Sequence, residues 1–236
     1  MSDTTDQVRE ALAWLEQKGS KRVRDEARTR YGIDAPKSFG VPVGMVQQLA
    51  KRLGKDHELA AALWATGWYE ARLLCSYVDE PEKVTVAQMD RWARDFNNWG
   101  IVDTVCFVLF DRSKHAWGRV EPWCRRKEEF IRRAGFVMLA CLGAHDKAAP
   151  DSAFLKGLRL IERGATDERN FVKKGISWAI RIIGGRNPAL HQATRETCER
   201  LAESEDPVAR SIGKLGLRDL NSAALQARLR KKSKTK

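Results

Sequence analysis

Apolar positions recur along this chain every three to four residues and do not alternate convincingly anywhere, so a succession of helices is predicted and no strand. Residues 8–15 set Val8, Leu12 and Leu15 on one face with Ala11 between them, behind a cap at Thr4 or Thr5. Residues 21–31 carry Lys21, Arg22, Arg24, Arg28 and Arg30 and few large apolar groups, which suits either a solvated helix or an edge that meets a phosphate backbone. Gly40 and Pro42 punctuate residues 38–51 before a helix holding Met45, Val46 and Leu49. Two helices joined at Gly67 are predicted over residues 57–78, with Leu59, Leu63 and Trp64 in one and Arg72, Leu73, Leu74 and Tyr77 in the other; Pro81 closes the pair. A helix over 85–95, with Val86, Met89 and Trp92, leads into FNNWGIVD at residues 96–103. Six more follow at 115–126, 128–142, 152–163, 169–183, 188–202 and 207–217, divided by short linkers rich in Gly and Pro. The closing QARLRKKSKTK has no apolar residue after Leu229, which predicts a disordered basic tail over 226–236 and a single domain over 1–225.

Many short helices in pairs point to internal repeats. Five segments share one apolar register, EARLLCSYV, GIVDTVCFV, FIRRAGFVM, FVKKGISWA and PVARSIGKL, whose matching positions are Arg72, Asp103, Arg133, Lys174 and Arg210. The steps between them are 31, 30, 41 and 36 residues, near the roughly 40 of HEAT-type repeats, so the predicted fold class is all-α, an α-solenoid of HEAT-like repeats. Equivalent positions in stacked repeats line one surface. Four of the five being cations, they form a basic stripe along a concave groove suited to duplex phosphates, or else they are helix-start cations that satisfy carbonyls and carboxylates between repeats.

Composition sharpens the first of these. Lys and Arg number 43 against 31 Asp and Glu, a formal charge of +12, in a chain of 236 residues that is 43% hydrophobic. A folded protein with that balance suits nucleic acid first, an anionic membrane surface second, and simple solubility otherwise. The five cysteines are odd in number and widely spaced with no CxxC, and the four histidines are scattered. A reducing compartment follows, and neither a disulfide frame nor a metal site is expected. The first residues are polar and acidic, and no apolar run approaches the ~20 residues of a membrane span, so a cytoplasmic protein without a membrane partner is expected.

Within this cationic chain, Trp99 and Asp103 stand at i and i+4, stacked on one helical face among Ile101, Val102, Val105 and Cys106. A carboxylate beginning an apolar helix is either a first-turn acid favoured by the helix dipole or a charge retained for chemistry, since it repels DNA phosphate and costs affinity. Trp178, among Ile176, Ile180 and Ile183, reads by periodicity as a core residue. Trp92, Trp117 and Trp123 read as packing.

FGVPVGMVQQLAK, NNWGIVDTV, FIRRAGFVMLA and NFVKKGISWAIRIIG together resemble the AlkD-type DNA alkylation repair family in order and spacing, from about residue 31 to 187. The resemblance implies a HEAT-like solenoid that clamps duplex DNA and excises cationic N3- or N7-alkylated purines, without drawing the base into a pocket and without a cofactor. It implies that Asp103 is the catalytic carboxylate, with Trp99 and Trp178 as the catalytic indoles and Arg133 gripping backbone phosphate. It also matches Tyr31 to a tyrosine against DNA. Arg132, Lys173 and Lys174 join Arg72 and Arg210 as candidate phosphate contacts. Two departures from the pattern are Gly100, where some members have an acid, and the doubled cation Arg132–Arg133. The expected partner is double-stranded DNA carrying alkylated purines, met by a monomer in the cytoplasm, on the nucleoid in a prokaryote. A second function fits the same groove: a non-catalytic module that binds damaged or branched DNA.

Overall fold

Short helices build this chain, and side chains cap the starts of several of them, Asp3, Asp56, Thr85, Asn98, Asn187 and Asp206 each accepting from a first-turn amide. The computed structural model describes residues 3–233 and holds, among them, fourteen α-helices, one 3-10 turn and no strand. The chain packs as two compact units, Met1–His115 and Ala116–Lys236.

The first unit holds α1 (Thr4–Lys18), α2 (Lys21–Tyr31), α3 (Val43–Leu53), α4 (His57–Ala65), α5 (Tyr69–Val78), α6 (Val86–Arg94) and α7 (Trp99–Val108), followed by the 3-10 turn Phe110–Arg112. Helix α5 is its centre, packed on α3, α4 and α7, and buries Ala71, Leu73, Leu74, Cys75 and Val78. Each large apolar side chain sealed in this way stabilises the unit by about 1.5–3 kcal/mol. Trp64 and Trp92 stack at 4.1 Å between ring centroids, which leaves the Trp64 indole N–H at the edge, where it donates to Asp95 at 2.7 Å. Helix α2 differs from all of these. It has no buried residue and is held by its ends. Before it, the Ser20 amide donates to the carbonyls of Phe39 and Gly40. Behind it, Gly32 turns the chain in the left-handed region, at φ 64°.

The second unit holds α8 (Ala116–Cys124), α9 (Glu129–His145), α10 (Asp151–Gly164), α11 (Asn170–Gly184), α12 (Pro188–Ala202), α13 (Pro207–Leu220) and α14 (Ala223–Ser233). Neighbours in sequence pair, α8 with α9 and α12 with α13; the first helices then stack, α10 against α8 and α12, and so do the second helices, α11 against α9 and α13. That is two-layered repeat packing. From Arg133 to Gly143 every residue of α9 is buried, because α8, α10 and α11 all lean on it.

The chain end corrects one expectation. Residues predicted to be a disordered tail are helical as far as Ser233, because Leu229 is buried and the Gln226 side chain donates to the Leu220 carbonyl at 2.9 Å, tying α14 to α13. The last three tail residues lie outside the described ones.

Candidate functional site

Helix α7 begins one residue after Asn98, whose buried side chain accepts from the Ile101 amide at 3.0 Å and caps the helix. Trp99 is therefore the first helical residue and the first turn holds no acid. Asp103 lies beyond it, on the second turn, and the helix-dipole reading of this carboxylate loses its footing. Asp103 and Trp99 are both half-buried, whereas Ile101, Val102, Val105 and Cys106 are sealed in the core. The indole N–H of Trp99 donates at 2.8 Å to the carbonyl of Tyr31, the last residue of α2. That bond fixes the plane of the ring and closes the far end of α2. Tyr31 itself is 47% exposed, with the Arg30 guanidinium 5.3 Å from its ring centroid.

Trp99, Gly100, Asp103 and Thr104 form one wall of a cavity of about 460 Å³ in the first unit. Facing them are Val23, Arg24, Glu26, Ala27 and Tyr31 of α2, then Ile33, Val41 and Pro42 of the connecting loop, Val43 at the start of α3, and Tyr69 and Glu70 of α5. The walls are mainly apolar. Glu70 explains how the loop keeps its shape. Its carboxylate is buried and accepts from the amides of Phe39 (3.0 Å), Gly40 (2.8 Å) and Val41 (3.2 Å) and from the Ser38 hydroxyl (2.7 Å). A buried charge with four donors is a satisfied one, and it pins the FGVP stretch to α5. Gly40 is required there: its φ is +77°, and a Cβ would stand 2.2 Å from the Ser20 carbonyl oxygen.

The departure at Gly100 also has a physical cause. A Cβ at that position would lie 2.6 Å from the Tyr69 hydroxyl and 3.1 Å from the Ile33 side chain. No acid, nor even an alanine, fits there without displacing the tyrosine.

The remaining candidates divide by environment. Arg72 is mostly buried, paired with Asp95 at 3.3 Å and lying 5.0 Å from the Trp64 ring centroid. Arg133 is 5% exposed and donates at 2.6 Å to the Phe171 carbonyl, joining α9 to α11. Arg210 donates to the carbonyls of Ser204 (2.9 Å) and Glu205 (2.6 Å), closing the turn before α13. Arg132 pairs with the buried carboxylate of Asp167 at 3.2 Å. Bonds from Arg169 hold that carboxyl below the usual carboxylate range. Three of the four register cations thus satisfy carbonyls or carboxylates, the alternative set beside the stripe. The fourth, Lys174, is exposed, 5.9 Å from the Phe171 ring centroid, and Lys173 is half-buried. Trp178 is half-buried rather than core. Helix α11 buries Val172, Ile176, Ala179, Ile180 and Ile183, and Trp178 falls one helical turn after Lys174, off that stripe. Trp99, Asp103 and Tyr31 are thus brought to one cavity region in the first unit, and Lys174 and Trp178 to one helix face in the second.

Sequence reasoning passed over Glu70 and Tyr69. The signal for Glu70 was present, since YEARLLCSYV sets a carboxylate in an apolar helix just as GIVDTVCFV does.

A family model described as DNA alkylation repair enzyme matches residues 8–203. Among solved structures, one described as a new family of proteins related to the HEAT-like repeat DNA glycosylases, with affinity for branched DNA structures, covers 94% of this chain and 95% of its own at 20% identity, with a TM-score of 0.74. That likeness shows the fold class, an all-α solenoid of HEAT-like repeats. A designed armadillo repeat protein, YIII(Dq)4CqI, covers 94% of this chain and 96% of its own at 14% identity and superposes only loosely, with a TM-score of 0.33. No curated protein matches.

Proposed function

Since the chain belongs to the DNA alkylation repair enzyme family, we propose that it is a monofunctional glycosylase that releases cationic N3- or N7-alkylated purines from duplex DNA. The observation that carries this reading is Asp103, a half-buried carboxylate on a cavity wall beside Trp99, kept past the helix turn where a dipole would reward it, in a chain of formal charge +12.

The chemistry asks little beyond cation stabilisation. An alkylpurinium is a good leaving group: the C1′–N9 bond breaks, its electron pair neutralises the purine, and an oxocarbenium-like sugar is left. Asp103 stabilises that developing charge and directs a water. The water oxygen bonds to C1′ and its proton passes to the carboxylate and on to solvent. A fixed charge in this role contributes about 3 kcal/mol. Trp99 offers its indole face to the same cation, worth about 1–2 kcal/mol when desolvated. Trp178, one turn from Lys174, offers a second indole face to the DNA, and Lys173, Lys174 and Tyr31 take its backbone. Arg133 acts through α11, holding the helix from which Lys174 and Trp178 project. No cofactor enters this scheme, and a monomer acting on the chromosome in the cytoplasm suffices for it.

A second reading, a non-catalytic reader of branched DNA, is favoured by the branched-DNA affinity described for the related solved structure. Incubation with a duplex holding one N7-methylguanine separates the two. The glycosylase reading expects free 7-methylguanine and an alkali-labile abasic site; binding to the same duplex and to a four-way junction with no base released would replace it with the second reading.

A further inference from the structure

Tyr69 is the first residue of α5, and it lines three cavities of about 460, 210 and 170 Å³, each of which also touches residues between 33 and 38. Its hydroxyl lies in the space a side chain at position 100 would need, 2.6 Å from that Cβ site. Gly100, Asp103 and Thr104 all line the cavity of about 460 Å³, as Tyr69 does, and three residues of helix advance ~4.5 Å along the axis, which sets position 103 about one turn of α7 beyond the glycine under the hydroxyl. Among the described residues no group hydrogen-bonds this hydroxyl, and it is not among the polar atoms sealed from solvent, so a water can reach it. Burial, reinforced by the neighbouring Glu70 charge, pushes the phenol above its ordinary value, so it is neutral at physiological pH.

We propose that Tyr69 is a third catalytic residue of the Asp103 cavity: its hydroxyl is the second anchor of the water that attacks the sugar, and Gly100 is the opening that lets it reach. This rests on the glycosylase reading. The water gives one hydrogen to the Asp103 carboxylate and the other to the Tyr69 oxygen, which turns its lone pair toward C1′. As the C1′–O bond forms and the C1′–N bond breaks, the electron pair leaves with the purine and the proton goes to Asp103. Tyr69 keeps its own proton throughout and serves as a geometric constraint.

Single-turnover release from an N7-methylguanine duplex by Tyr69→Phe tests this, because the variant keeps the ring and removes only the hydroxyl. Release slowed about 10-fold or more, with duplex affinity and melting temperature unchanged, is the expected result. Release at the normal rate, or a slowing accounted for by weaker duplex binding, would overturn it. Gly100→Ala supplies an independent measurement. In the parent protein its Cβ displaces the hydroxyl and slows release, whereas in the Tyr69→Phe background it should cost little further. Losses that multiply independently would contradict the assignment. A parent protein that releases no base removes the glycosylase reading and this role together; a parent that releases base while Tyr69→Phe matches it removes Tyr69 alone.

Discussion

Two helices of the same repeat register, α7 in the first unit and α9 in the second, each carry a charge at the fifth helical residue, and they use it differently. On α9, Arg133 is sealed and holds the Phe171 carbonyl, so its charge joins one repeat to the next. On α7, Asp103 borders a cavity of about 460 Å³ whose other walls are mostly apolar. A register shared in sequence is therefore not a register shared in role. What differs is the setting: α11 presents a backbone carbonyl to Arg133, whereas Asp103 stands on a cavity wall. Glu70, beside Tyr69 on the α5 wall of the cavity, makes the same point: with four donors around it, it is a scaffold residue despite lining the cavity.

That contrast can be broken by substitution. Glu70→Ala leaves the buried amides of Gly40 and Val41, the part-buried amide of Phe39 and the Ser38 hydroxyl without this acceptor, so a loss of about 4 kcal/mol in denaturant unfolding is expected; a loss under about 1 kcal/mol would mean the loop holds itself. Arg133→Ala strips the Phe171 carbonyl of a charged donor, and calorimetry should register about 2 kcal/mol with base release impaired through α11. Were its main role a phosphate grip, stability would stay put and duplex affinity would fall instead. Trp99→Phe removes the bond to the Tyr31 carbonyl and the larger indole face, for which about 1 kcal/mol of stability and a release rate lower by about 10-fold are expected. Lys174→Ala is expected to touch neither stability nor chemistry. Its signature is a slope of log affinity against log salt shallower by about 0.9, and an unchanged slope would remove Lys174 from the backbone contacts.

Much of the scaffold was readable from periodicity and punctuation. Gly67 marks the α4–α5 junction with a φ of +75°, and the bounds of α2 and α12 follow the charged run and the Asn187–Pro188 start. In the tail, lysine density masks the spacing of Leu225 and Leu229, which falls on one helical face and lets Leu229 be buried. At the site, the i,i+4 pair on α7 was legible from spacing alone. The cavity was not, since its walls come from α2, the 33–42 loop, the start of α3, α5 and α7, and no local pattern announces that Tyr69 leans over Gly100. Trp178 shows the limit of counting apolar neighbours: its helix buries one stripe, and a residue flanked by isoleucines in sequence stands off that stripe in space.

The claim on which the account turns is that the Asp103 charge is used in bond cleavage. Asp103→Asn keeps the side chain's shape and removes the charge, so the direct measurement is its single-turnover release of N7-methylguanine, with duplex affinity measured in parallel. Release lower by about 100-fold or more, with affinity held or tightened as a repulsion of phosphate disappears, is the predicted result. Release at the parent rate would contradict it.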